Sequence, residues 1–155
     1  MTARDWLAIR VELVGGGGLI FEPPGRVMLV GPRHTFGDLA EAINAAFARW
    51  DLAHLHEFRL GDGRRIGFAD EEEPEVLEHT VLPVASAVRA GDEFEFVFDF
   101  GDDWTHRCRV LATDVDPREE AGITPRKPIP VWGWGLIPDQ YGREDDEGWV
   151  PQRFA

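Results

Sequence analysis

Phe94-Glu95-Phe96-Val97-Phe98-Asp99-Phe100-Gly101-Asp102-Asp103-Trp104-Thr105-His106 decides the fold. Phenylalanines at 94, 96, 98 and 100 give a strand one apolar face, and Glu93, Glu95 and Asp99 line the other. After the Gly-Asp-Asp break the alternation resumes. Trp104, His106, Cys108 and Val110 share a face, and Thr105, Arg107 and Arg109 share the opposite one. The two runs read as a β-hairpin, and loop length sets its register. A two-residue loop at Asp102-Asp103 would oppose the aromatic face of one strand to the polar face of the other. A three-residue loop, Gly101-Asp102-Asp103, pairs Phe100 with Trp104 and Phe98 with His106. Glu95 and Arg107 then share the outer face. Because a one-residue slip inverts a strand, the three-residue loop is expected.

Upstream, Leu7, Ile9, Val11 and Leu13 alternate with Ala8, Arg10 and Glu12, which predicts a half-buried strand. Gly15 to Gly18 end it as a flexible turn, since no Lys-Ser/Thr follows to make a phosphate loop. Arg26 to Val30 form a second short strand after Pro23-Pro24. Thr35 reads as a helix N-cap with Asp38 as its capping-box partner. Phe36, Leu39, Ala40, Ile43, Phe47 and Trp50 follow at helical spacing, predicting a helix over residues 36–49 whose apolar stripe belongs to the core. His54, His56, Phe58 and Leu60 then share one face of a strand. Gly61-Asp62-Gly63 turns it back through residues 64–68. Asp70 to Glu75 is a solvated acidic loop, 76–82 a short strand and 83–88 a helical turn.

After Asp116 the pattern changes. Pro117, Pro125, Pro128, Pro130, Pro138 and Pro151 punctuate a stretch that also carries Trp132, Trp134 and Trp149. The expected organisation is one α+β domain over residues 1–116, with residues 117–155 as an irregular Pro/Trp-rich tail packed on it. The order of elements predicts a mixed β-sheet with one main amphipathic helix on one face, analogous to a β-grasp layout.

Composition bounds the function. At 155 residues the chain makes one domain with a sizeable core. A formal charge of −13 repels phosphate backbones, so nucleic acid is a disfavoured partner. Cys108 is the single cysteine, which rules out an intrachain disulfide and a dithiolate metal site. The residues after Met1 do not form a signal peptide, and no apolar run approaches a membrane span. A cytoplasmic location is expected.

The groups able to do chemistry are histidines and aspartates. His54-X-His56 on a strand would place two imidazoles on one face, a spacing that suits two ligands of a zinc-type ion. His106, with Asp99, Asp102 or Asp103, would complete such a shell, and the ion would activate a water for hydrolysis. The rival reading makes Asp102 and Asp103 turn residues and His106 a buried, hydrogen-bonded histidine. No helical His-Glu-X-X-His accompanies the cluster.

His54-Leu55-His56-Glu57-Phe58, together with Phe98 to His106, resembles the plasmid pRiA4b ORF-3-like family, whose members include passenger proteins of IS1096-type insertion elements. The likeness covers about residues 5–115, including Pro23-Pro24, Asp38-Leu39 and Trp50. It implies a compact α+β domain of no established activity. Gly25-Arg26-Val27-Met28 departs from the family's basic-aromatic stretch. Ile137 to Gly142 replaces a cysteine-containing segment.

The leading expectation is a non-catalytic binding module for a protein partner or small ligand. Its contact rim would comprise His54, His56, Asp102, Asp103, His106, Trp132 and Trp134. The alternative is a metal-dependent hydrolase or nuclease with His54, His56, His106 and Asp99 as ligands. A third reading is a DNA-binding accessory of a mobile element, using Arg26, Arg33, Arg64 and Arg65.

Overall fold

The protein is described here by a computed structural model over residues 4–142, so Trp149 and Pro151 lie outside the described residues. One sheet and one main helix build it. The strands are β1 (Trp6–Gly15), β2 (Gly25–Val30), β3 (His56–Leu60), β4 (Arg65–Gly67), β5 (Val76–Glu78), β6 (Glu93–Phe98), β7 (Trp104–Val115) and β8 (Ile129–Trp134). The helices are α1 (Phe36–Ala46) and the short α2 (Pro117–Ala121). The strand order is β5-β4-β3-β6-β7-β1-β2-β8. Neighbours pair antiparallel except β4 and β5, which run parallel. This is the expected mixed sheet with one main helix.

α1 starts where the capping box put it. The Thr35 hydroxyl accepts from Asp38 N–H at 3.1 Å, and the Asp38 carboxylate accepts from Thr35 N–H at 2.9 Å. Phe36, Leu39, Ala40, Ile43 and Phe47 are buried against the inward residues of β1, β3, β6 and β7. Phe36 meets Phe58 at 5.0 Å between ring centroids. The helix ends sooner than the apolar spacing suggested, because Ala48 turns into the left-handed region at φ 57°. Trp50 therefore leaves the stripe and is exposed. The other sheet face is charged, with Arg59 and Glu93 exposed there and Glu95 directly opposite Arg107.

The hairpin keeps its predicted faces and shifts its register by two residues. Phe98 pairs with Trp104 and Phe96 with His106, so the loop runs from Asp99 to Asp103. A two-residue shift preserves facing, since strand side chains alternate with period two. The cause is Asp99, held at φ 63°. Its carboxylate accepts from Gly101 N–H at 3.1 Å and Asp102 N–H at 3.4 Å, and its carbonyl accepts from Asp103 N–H. Phe100 is thus in the loop and exposed, not in the core face.

Two glycines have a packing reason. A Cβ on Gly16 would come within 2.2 Å of the Trp104 ring, and one on Gly25 within 2.0 Å of Trp134. The start of the glycine run, expected as a flexible turn, is a seat for Trp104. Gly17 N–H ties it to the hairpin loop through the Asp102 carbonyl at 2.7 Å.

The Pro-rich segment contains order that its spacing did not announce. Asp116 caps α2 through Arg118 N–H, and residues 129–134 pair with β2 as an edge strand. Pro130 and Gly133 conceal the alternation, and proline is tolerated because the strand is at an edge.

Candidate functional site

The expected rim residues do not converge. His106, fully buried, uses both ring nitrogens: Nδ1–H donates to the Phe96 carbonyl at 3.0 Å, and Nε2 accepts from Arg49 Nη2 at 3.1 Å. Burial, then the nearby Arg49 charge, push its pKa well below the ordinary histidine range, so it is neutral. A nitrogen facing a guanidinium is not a metal ligand. His54 sits before β3 rather than on it. Its Nε2 lies 2.7 Å from the Tyr141 hydroxyl and 3.3 Å from an Asp51 oxygen, while its Nδ1 is 3.6 Å from Asp99. Asp102 and Asp103 belong to the turn; Asp103 has φ 53° and is exposed. Among the described residues no three His, Cys, Asp or Glu side chains are grouped to hold a metal ion.

The tail tryptophans also separate. Trp132 is 63% exposed, whereas Trp134 packs over Gly25 with the Arg10 guanidinium 4.8 Å from its ring centre. Nor do the four arginines form a patch. Arg26 is buried and donates to the Gly25 and Trp134 carbonyls. Arg65 is bound by Glu57, Glu73 and Glu75, and Arg64 by Asp62. The acidic loop is in this way a clamp on β4.

His56 occupies a different setting. It lies at the start of β3, with its ring 4.8 Å from His79, 4.9 Å from Phe68 and 5.5 Å from Phe96. Burial first, and His79 second, push its pKa down to about 4. Its Nε2 is buried and has no hydrogen-bond partner, and the same holds for Asn44 Oδ1 on α1. Buried polar atoms in native proteins are nearly always paired, so two orphans in one place call for an explanation. Both residues line a cleft of about 610 Å³ between one face of α1, from its Thr35 cap to Ala45, residues 52–56 and the His79–Thr80 turn, with Phe98 on its wall. That volume lies within the range of small-molecule sites. A larger concavity of about 800 Å³ beside the β3–β4 turn is lined by residues such as Asp62, Arg64 and Asp92, and none of the orphaned atoms belongs to it. Trp104 Nε1 is a further orphan and does not line the cleft.

Arg49 joins the two settings. It is 8% exposed, lines the cleft, and donates to His106 and to the Phe47 carbonyl at 3.4 Å. Its guanidinium lies 5.1 Å from the Trp104 ring centre and 5.7 Å from that of Phe47. Burial lowers its pKa, yet an arginine keeps its charge at neutral pH. Arg49, Asn44 and His79 escaped the sequence reading. A histidine within Glu78-His79-Thr80 and an arginine after a helix carry no spacing signal.

The loop that supports the cleft is clasped by the tail. Gln140 Oε1 accepts from Trp50 N–H and Asp51 N–H at 3.1 and 3.0 Å, and Gln140 Nε2 donates to the Asp51 carbonyl. Tyr141 donates to Asp51 at 2.8 Å, which raises the phenol pKa to about 12. Ile137 to Gly142 thus holds the loop by hydrogen bonds.

The sequence profile of the Plasmid pRiA4b ORF-3-like proteins matches residues 7–129. The chain belongs to this family. The pRiA4b ORF-3-like span includes every cleft residue and ends before the Gln140 clasp. Uncharacterized protein y4hQ of Sinorhizobium fredii (strain NBRC 101917 / NGR234) is 34% identical over 80 residues, covering 48% of this chain and 39% of that protein. The match thus spans well under half of that relative. A crystal structure of a protein of unknown function, MM3350 from Methanosarcina mazei Go1, has a TM-score of 0.68 at 22% identity. It covers 93% of this chain and 80% of that one. At that identity the likeness shows a shared fold alone. Among the described residues no helix is long and apolar enough to cross a membrane.

Proposed function

We propose that this pRiA4b ORF-3-like domain is a non-catalytic binding module whose small-molecule ligand seats in the α1–β3 cleft. The carrying observation is the pair of buried, unpartnered atoms, His56 Nε2 and Asn44 Oδ1, on the wall of one concavity of ligand size. Leaving such an atom unpaired costs about 1–3 kcal/mol, a cost that a bound ligand's polar groups would remove. A nucleophile positioned beside a general base is not among the cleft groups, which favours binding over catalysis. The metal-hydrolase reading loses its third histidine to Arg49, and His56 and His79 alone make too small a shell.

An NMR screen of the 15N-labelled full chain with small neutral, acidic and basic fragments tests the proposal. The shifted amides are expected to cluster at Ala45, Leu52, His54, His56 and Thr80. Shifts grouped at Asp102, Asp103 and Trp132 would move binding to the rim and refute the cleft.

A further inference from the structure

Arg49 carries a net positive charge into the interior, and among the described residues no carboxylate meets it. No ion pair among the described residues includes it, and its two hydrogen bonds go to neutral acceptors, a carbonyl and an imidazole. The end of α1 and two aromatic rings offset part of that charge. Removing an unpaired charge from water is otherwise strongly unfavourable, and the guanidinium retains donors without acceptors. The nearby acids do not reach it. Asp38 is taken by Thr35 N–H and by Lys127 at 2.7 Å, and Glu41 is exposed at the cleft mouth.

We propose that the cleft takes the carboxylate of a small organic acid, with Arg49 as its counter-charge. The inference rests on the cleft being the ligand site. His56 would donate from Nε2 in its neutral Nε2–H tautomer, and rotation of the Asn44 amide would present its NH2 to the same group. Phe98, Phe68 and Leu52 give the rest of the molecule an apolar wall. A single charge is matched. One guanidinium lines the cleft beside the neutral His56 ring, with Asp38 and Glu41 near the mouth, in a chain of charge −13. A dianionic phosphate monoester would find one unpaired cation, since Lys127 is held by Asp38, with Glu41 against it, and is disfavoured.

The test is an NMR titration of the full chain at constant ionic strength with benzoate, phenyl phosphate and benzylamine. Benzoate is expected to shift the Arg49 Nε–H resonance and the cleft amides saturably. Arg49→Met should weaken benzoate at least about tenfold, the loss of a charge-assisted pair. If that variant does not fold, the Arg49 Nε–H response of the unsubstituted protein decides. Tighter binding of phenyl phosphate overturns the carboxylate assignment. Benzylamine or neutral fragments binding in the cleft while benzoate is silent overturns the anion inference and leaves the binding module standing. Silence of the cleft towards all fragments removes both.

Discussion

His106 and His56 lie on either side of Phe96, with ring centroids 5.2 and 5.5 Å from it, and they do opposite things. Each is held neutral by burial. His106 has a partner at both nitrogens and locks β7 to β6 and to the end of α1. His56 has a buried nitrogen with none, and it opens on a cleft. The difference separates a histidine whose hydrogen bonds the fold completes from one whose hydrogen bond is left open to the proposed ligand. Burial and a depressed pKa are common to both, so neither identifies a site; the unmet hydrogen bond does.

The largest expected effect is on the ring between them. Phe96→Ala should cost roughly 3–5 kcal/mol in urea unfolding, as for large core aromatics, and should abolish fragment binding as the cleft wall collapses. A loss under about 1 kcal/mol would mean that the two sides do not share a packed wall.

Acid should reveal both histidines together. Each is neutral in the folded protein, whereas the unfolded chain takes up protons near pH 6.5. The unfolded state therefore binds more protons as pH falls below 6.5. The stability due to these groups is complete above 6.5 and declines towards about 4, where His56 itself charges in the folded state. The slope is about 1.4 kcal/mol per pH unit for each histidine. Chemical denaturation at pH 7, 6 and 5 measures it. A flat profile would show that both rings titrate normally. A carboxylate accepting from His56 Nε2–H favours the imidazolium, so it should raise the folded-state pKa and end the decline at a higher pH.

Two smaller effects sharpen the contrast by acting on neither histidine. Asp99→Ala should cost about 1–2 kcal/mol, because the five-residue loop loses its capping carboxylate. Thr35→Ala should cost about 1 kcal/mol through the lost cap. Asp99→Ala, outside the cleft lining, should change benzoate affinity by no more than about twofold. Larger affinity changes would tie the cleft to the global fold.

Local patterns made the fold legible. The period-two phenylalanines and the Thr35–Asp38 box reported faces and a helix start because both are set by neighbouring residues. The hairpin register needed Asp99 in the left-handed region, and alternation cannot register a two-residue shift. The site was half legible. His54 and His56 stand out by their spacing, whereas periodicity places His106 on their face without placing Arg49 against it. Arg49 and His106 are 57 residues apart, and only the packing of α1 on β7 brings them together. β8 was hidden by the proline and glycine that an edge strand tolerates.

Paired urea unfolding of His56→Phe and His106→Phe at pH 7.5 tests the central contrast most directly. His106→Phe strands the Arg49 donor and the Phe96 carbonyl, and should cost about 2–4 kcal/mol. His56→Phe removes an atom that has no partner, and should stay within about 0.5 kcal/mol of the unsubstituted protein or stabilise it. Equal losses in the two variants would contradict the account, because His56 would then be as structural as His106.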